Sequence, residues 1–331
     1  AASDVYKRQT LNALDTFDSS YEFIDLHRSF RELSQISCVE NELFDFGRGF
    51  HGGGRLRWPD LIKEYRLVIL SEAGSGKTAE IRNVAHMLRE QGKPAFFLRL
   101  EHIPRDFEDA FEVGTFESFE EWLASGEVGW LLLDSVDEAR LRNPDDFELA
   151  IRKLSRQLSS AKDRTHIVIS GRTTAWRPKT DLAHCTAQLP YAACDTSERD
   201  PQTEDVVSDG SVQTKTETKG DPKSIFKIVA LDDLTPDQIT LFAKARGIDD
   251  SQLFLDAVER ADAWSFTARP QDLEELTEFW LDKGRIGTRL EIMRNSINRR
   301  LAERDQDRAE ARPLPAESAR QGARLLAAAT T

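Results

Sequence analysis

The sequence predicts an α/β fold of three layers, with a central, mostly parallel five-stranded sheet followed by a small helical lid domain. Short apolar runs alternate with segments of helical periodicity between residues 67 and 229, which is the pattern of a parallel sheet covered by helices. A glycine-rich turn joins the first apolar run to the first helical segment. Beyond residue 233 the pattern is helical only.

The predicted strands are short and rich in apolar residues. The five strands of the sheet are Leu67–Leu70, Ala95–Leu100, Trp130–Asp134, His166–Ser170 and Ile225–Val229. The third is a continuous apolar run that ends in a carboxylate, as is typical of a central strand buried on both faces. Upstream, apolar and polar residues alternate in Tyr21–Leu26, and this alternation predicts one further strand.

Helical periodicity predicts three helices among these strands and several after them. The three lie at about Thr78–Gln91, Phe116–Leu123 and Asp145–Leu158. The first has a buried face at i, i+3, i+4 and i+7, formed by Ile81, Val84, Ala85 and Leu88. A later helix begins at Thr235-Pro236-Asp237-Gln238, which combines an N-cap threonine, a proline at N1 and a glutamine at N3. From there to Arg304 the helical pattern is broken at Gly247, Pro270 and Gly284.

These elements divide the chain into four parts. They are an N-terminal segment at 1–60, a sheet core at 61–232, a helical lid at 233–285, and the start of a truncated, winged-helix-like helical region at 286–331. Residues 1–9 resemble adapter sequence rather than native protein, and we expect the chain to be a fragment. An insertion at about 178–224 interrupts the core. We expect it to be disordered because Thr196–Asp221 has almost no large apolar residue.

Composition excludes several classes of function. The 331 residues are enough for two or more domains. A net charge of −13 argues against binding nucleic acid by bulk electrostatics. Three cysteines suit a reducing compartment, and no apolar run reaches the roughly 20 residues of a membrane span. We therefore expect a cytoplasmic protein with neither a membrane segment nor a direct nucleic-acid signature.

Two other patterns resemble functional sites only weakly. His184, Cys185 and Cys194 lack a Cys-x-x-Cys pair, so we do not expect them to bind a metal. His51-Gly52-Gly53-Gly54 is similar to an oxyanion loop, but the chain has no Gly-x-Ser-x-Gly motif to supply a nucleophile. We interpret it as a flexible loop.

The residues Ser71-Glu72-Ala73-Gly74-Ser75-Gly76-Lys77-Thr78 follow a predicted strand and open a predicted helix. This is the context of a phosphate-binding P-loop, in which backbone N–H groups point at phosphate oxygens. The predicted cofactor-binding residues are Ala73, Gly74, Ser75, Gly76, Lys77 and Thr78. Lys77 would reach the β and γ phosphates, and the Thr78 hydroxyl would hold Mg²⁺. Ser71 stands where the motif has its first glycine, a small replacement that we expect to be tolerated.

Three carboxylates and an arginine complete the predicted site. Asp134 ends a strand, where it would hold the Mg²⁺ that bridges two phosphates. Of the two acidic residues that follow, Glu138 is the first candidate to orient or deprotonate the attacking water, and Asp137 is the second. Arg172, at the end of the fourth strand, is placed to contact the terminal phosphate through its fork of donors, and Arg177 is the alternative.

Together these segments resemble the NACHT-type STAND NTPases, a clade of P-loop NTPases. Ser71–Thr78 resembles the phosphate loop of the clade, and Leu131–Glu138 resembles its Walker B segment, with a small residue after the metal-binding aspartate and an Asp-Glu pair beyond it. Ile169–Arg172 is similar to its sensor 1. Ala268-Arg269-Pro270 is similar to the lid turn whose proline packs near adenine. The resemblance covers about Leu67 to Leu276.

The resemblance implies a nucleotide-driven switch with ATP/ADP and Mg²⁺ as cofactors. Bound ADP would keep the lid closed, whereas exchange for ATP would open it and allow the full-length protein to self-associate in response to a trigger ligand or protein. Many bacterial members of the clade act in defence against phage. Two alternatives remain open, an AAA+-like ATPase motor and a non-catalytic nucleotide-binding scaffold.

Overall fold

The computed structural model describes residues 23–33, 55–191, 226–302 and 321–322. These residues belong to two compact units. One, here called the sheet unit, comprises the described residues within 28–73 and 77–232, and the other, the helical unit, comprises the described residues within 1–27, 74–76 and 233–331.

The sheet unit contains one seven-stranded sheet. Its strands are β1 (Phe30–Glu32), β2 (Arg66–Ser71), β3 (Ala95–Arg99), β4 (Phe111–Val113), β5 (Gly129–Asp134), β6 (Thr165–Arg172) and β7 (Lys227–Leu231). Their order is β1-β7-β2-β6-β5-β3-β4. The five inner strands are parallel and coincide with the five that the sequence predicts, so this part of the prediction is confirmed.

The two edge strands were not predicted. Both β1 and β4 have three residues and pair antiparallel with their neighbours. The strand expected at Tyr21–Leu26 is wrong over its described part, since residues 23–26 form no strand. Ile24 and Leu26 instead pack into the hydrophobic core of the helical unit, which accounts for their alternation with polar residues.

Helices cover both faces of the sheet. The helices of this unit are α1 (Trp58–Leu61), α2 (Lys77–Glu90), α3 (Phe116–Ser125), α4 (Val136–Arg142), α5 (Asp146–Gln157) and α6 (Pro178–Gln188). Alternate residues of β2 belong to different cores. Leu67 and Ile69 pack with the buried face of α2, whereas Val68 and Leu70 pack with α5 on the other side. The predicted three-layer arrangement is therefore present, and the predicted buried face of α2 is confirmed.

The insertion expected to be disordered at about 178–224 is ordered in its first residues, which form helix α6. Its residues 178–188 are helical, and Cys185 and Leu189 are buried in the same core as α5. The polar composition that suggested disorder is confined to later residues. Residues 192–225, which include Cys194 and Thr196–Asp221, lie outside the described residues, as do Cys38 and the His51–Gly54 loop.

The helical unit contains four described helices of ten residues or more: α7 (Pro236–Ala245), α8 (Ser251–Arg260), α9 (Pro270–Lys283) and α10 (Arg289–Ala302). Thr235 caps α7 as predicted, because its hydroxyl accepts from the Gln238 N–H while the Gln238 side chain accepts from the Thr235 N–H. Gly284 ends α9 in the left-handed conformation that glycine favours. Across the part of the chain that is described, no helix has both the length and the apolar character needed to cross a membrane.

Candidate functional site

The glycine-rich turn joins the end of β2 to the first residue of α2. Gly74 and Gly76 have φ of +75° and +84°, a region that side chains with a Cβ rarely adopt. Ser71 is the last residue of β2 and pairs in register with Arg172 of β6. It is not among the described non-glycine residues with positive φ. The turn therefore does not require glycine at position 71.

Lys77 and Thr78 occupy the first turn of α2. Lys77 is buried, and burial lowers the pKa of its ammonium group, a shift that the carboxylates of Asp134 and Asp137 oppose. The Thr78 hydroxyl donates to Asp134 Oδ2 at 2.8 Å. Thr78, just after the turn, thus contacts a carboxylate on a separate strand, although the two residues are 56 positions apart in the sequence.

Asp134 lies at the carboxyl end of β5 and is fully buried. Its Oδ1 accepts from the Ser170 hydroxyl, and its Oδ2 also accepts from Ser135 Oγ at 3.0 Å. Ser135 has a φ of 70°, which is unusual for a residue with a side chain, and its N–H donates to Ser170 Oγ at 3.3 Å. These bonds fix the orientation of the carboxylate.

The two acidic residues that follow have different surroundings. Asp137 forms an ion pair with Arg172, with 2.6 Å between Oδ2 and Nε, and its side chain is 14% exposed. The Glu138 side chain is 38% exposed. Arg177 immediately precedes α6, where its backbone N–H donates to Asp181.

Arg99 belongs to this cluster although the sequence pattern did not select it. It ends β3 directly beside Asp134 in the parallel pairing of β3 and β5. Its Nη1 lies 3.2 Å from Asp134 Oδ2 and 3.3 Å from Glu138 Oε2. Burial alone would lower the pKa of Arg99, but the bond to Glu112 and the charges of Asp134 and Glu138 outweigh burial and raise the pKa. Ser170 lies in the segment Ile169–Arg172 that the sequence likens to a sensor 1, but within that segment only Arg172 was selected as a site residue.

Pro270 is the first residue of α9 in the helical unit. Residues 74–76 belong to the same unit, and within it the Gln271 N–H donates to the Gly74 carbonyl oxygen at 3.2 Å. A Cβ at Gly74 would lie 2.6 Å from the Gln271 side-chain oxygen, too close for any other residue without a shift. The residue after Pro270 therefore contacts Gly74.

The donor set fits Mg²⁺ bound together with a phosphate ligand. In the described residues no group of three or more His, Cys, Asp or Glu side chains is arranged to hold a metal ion. Thr78 and Asp134 supply one hydroxyl and one carboxylate oxygen at the same point. Mg²⁺ usually takes only one or two protein carboxylates, and phosphate oxygens and water fill its other positions.

Comparisons with known proteins add little. No family model matches the chain, and no curated protein matches it. One similar solved structure is that of the Aeropyrum pernix Orc1 protein in complex with DNA, at 12% sequence identity and a TM-score of 0.36. The alignment covers 71% of this chain and 62% of the Orc1 chain, which is less than two thirds of the latter's length. A similarity this weak carries no information about function.

The order of the strands brings the site together. Strand β6, which carries Ser170 and Arg172, lies between β2, which leads into the glycine-rich turn, and β5, which ends in Asp134. In a parallel sheet, the carboxyl ends of these strands form one edge, and ligands bind there. A parallel sheet with this turn, this strand order and helices on both faces is the fold of the P-loop NTPases.

Proposed function

We propose that the chain is an ATP-binding and slowly hydrolysing regulatory module that acts in the cytoplasm as a nucleotide-dependent signalling switch. The observation that carries the proposal is the 2.8 Å hydrogen bond between Thr78 Oγ1 and Asp134 Oδ2, beside the buried Lys77. A hydroxyl, a carboxylate and an ammonium group at the end of a glycine-rich turn form the set of groups that binds a nucleoside triphosphate with Mg²⁺.

The residues from Ala73 onward would each have a part in binding. The backbone N–H groups of Ala73–Gly76 and the N-terminus of α2 would donate to the phosphate oxygens, since the helix dipole favours negative charge there. Lys77 would hold the β and γ phosphates, while Thr78 and Asp134 would hold Mg²⁺. When bound, Mg²⁺ neutralises charge on the phosphates. Pro270 would lie near the base.

Hydrolysis needs a group that orients or deprotonates water and a cation near the terminal phosphate. Glu138 is the first candidate for the former and Asp137 the second. Because Asp137 is already paired with Arg172, Glu138 has the more accessible carboxylate. Arg172 would move between Asp137 and the terminal phosphate, and so would report whether that phosphate is present.

The resemblance to NACHT-type STAND proteins supports the regulatory part of the proposal. On this view ADP holds the module inactive, and exchange for ATP in response to a trigger ligand or protein allows the full-length protein to self-associate. A role in bacterial defence against phage belongs to the same proposal.

The test of nucleotide binding is the substitution Lys77→Ala. We expect it to weaken binding of a fluorescent ATP analogue at least about tenfold, because Lys77 supplies the charge that faces the phosphates. Lys93→Ala is the matched control, since it also removes one lysine, which is partly buried, lies just beyond the end of α2 and contacts the Trp130 ring. Equal binding by the Lys77→Ala and unaltered proteins would refute nucleotide binding at this turn.

A further inference from the structure

We propose that Arg99 is a positioning residue that holds Glu138 beside Asp134, and that the balance of charge between Arg99 and Glu112 sets the affinity of the site for Mg²⁺. The inference rests on the proposed function and deepens it. The structure places one arginine nitrogen against both carboxylates, and it ties that arginine back to the helix that carries Thr78.

The bridging contact comes from a single nitrogen. Arg99 Nη1 lies 3.2 Å from Asp134 Oδ2 and 3.3 Å from Glu138 Oε2. Asp134 Oδ2 is the same oxygen that accepts from Thr78. Arg99 is therefore a shared cationic neighbour of Asp134 Oδ2, the proposed Mg²⁺ ligand, and of Glu138, the carboxylate proposed to act on water.

Glu112 on β4 fixes the orientation of Arg99. Arg99 Nε donates to Glu112 Oε1 at 2.6 Å, and the other Glu112 oxygen accepts from Arg82 Nη2, also at 2.6 Å. Arg82 lies on α2, one turn after Thr78. A chain of charged groups thus runs from the helix after the glycine-rich turn, through the edge strand β4, to Glu138. The short strand β4 has a role in this chain because it brings Glu112 to the end of β3.

The charge of Arg99 acts on the metal-binding oxygen at short range. Asp134 is fully buried, and interactions between charges are strongest where water is excluded. A guanidinium beside Oδ2 lowers the affinity of that oxygen for a divalent cation. Glu112 partly neutralises Arg99, so removing its charge has the opposite effect on the metal. The two substitutions therefore have opposite predicted effects on Mg²⁺ affinity.

The experiment measures the Mg²⁺ concentration at the midpoint of binding of a fluorescent ATP analogue, and separately kcat for ATP hydrolysis. We expect Arg99→Gln to lower the Mg²⁺ midpoint and Glu112→Gln to raise it, each by about tenfold, the lower end of the range for groups that contact metal ligands. Both should lower kcat, because Arg99→Gln removes the group that holds Glu138 and Glu112→Gln removes the group that orients Arg99. Arg99→Lys should keep the midpoint near that of the unaltered protein while still lowering kcat, since lysine lacks the fork that reaches Glu112 and Glu138 together.

The control variant is Arg246→Gln, which breaks a comparable ion pair with Glu274 in the helical unit and should leave the Mg²⁺ midpoint unchanged. Thermal unfolding shows which variants are folded, and if Arg99→Gln is not folded, Glu112→Gln and Arg99→Lys carry the test. The inference would be overturned if the Mg²⁺ midpoint shifted in the same direction in Arg99→Gln and Glu112→Gln. It would also be overturned if neither variant shifted the midpoint although both still bind ATP. Absence of ATP binding by the unaltered protein would instead overturn the proposed function, and the inference with it.

Discussion

At the scale of single residues, Asp137 and Glu138 are neighbours in sequence but have different partners. The Asp137 carboxylate is occupied by Arg172 at 2.6 Å, whereas Glu138 has the longer 3.3 Å contact with Arg99 and a more exposed side chain. A carboxylate that acts on water needs access to that water. The difference in exposure supports the order of preference that the sequence suggested.

We expect Glu138→Gln to lower the rate of ATP hydrolysis by about 100-fold or more, the usual scale for loss of a general base. Binding of ATP should change little, because a glutamine keeps the size of the side chain. Single-turnover hydrolysis and equilibrium binding measure the two effects separately. Glu120→Gln, at an exposed position of α3, removes the same charge elsewhere and should leave the rate unaltered. A slow rate in both variants would argue against a specific role for Glu138.

At the scale of elements, the amino-terminal end of β2 is anchored by Arg66. This arginine is 1% exposed, and burial lowers its pKa to about 10. Its guanidinium donates to the backbone carbonyl oxygens of Tyr65, Lys162, Thr165, Leu189 and Pro190. One side chain therefore joins β2 to the start of β6 and to the segment that follows α6.

A lysine cannot replace the five donors of the guanidinium, so Arg66→Lys would leave buried carbonyl groups without a hydrogen-bond donor. We expect this substitution to lower the free energy of unfolding by about 2 kcal/mol. Urea denaturation measures the change. Arg246→Lys, which alters a partly exposed ion pair, should cost less than about 1 kcal/mol. Similar losses in the two variants would mean that the buried carbonyl contacts contribute little.

The elements also differ in how far the sequence predicted them. The five inner strands are rich in apolar residues, and their burial follows from this composition. Strands β1 and β4 have only three residues each, which is too short for a recognisable sequence pattern. Their formation depends on pairing with a neighbouring strand. Helix α6 was missed because its buried face includes Asp181, an acidic residue that is buried against the Arg140 guanidinium at 2.6 Å. Polarity alone assigns such a residue to the surface.

At the scale of the whole molecule, the proposed switch predicts self-association that depends on the nucleotide. We expect the full-length protein, in the presence of its trigger, to form a larger species with ATP but not with ADP, and Lys77→Ala to prevent this. Analytical ultracentrifugation measures the size of the species. Rapid steady-state turnover that rises with protein concentration would favour the AAA+-like motor instead. ATP binding without any Mg²⁺-dependent hydrolysis by the triggered full-length protein would favour the scaffold.

The sequence alone determined the glycine-rich turn and the residues that lead into α2, because the backbone conformation and the chemistry of a phosphate loop lie within eight consecutive residues. It also selected Asp134, since a carboxylate that ends an apolar parallel strand lies at the edge of the sheet where ligands bind. Tertiary structure alone decided which groups surround that carboxylate. Arg99 and Ser170 reach it from the two strands that flank β5 in the sheet. Strand order and register arise from packing between distant segments, and no local pattern encodes them.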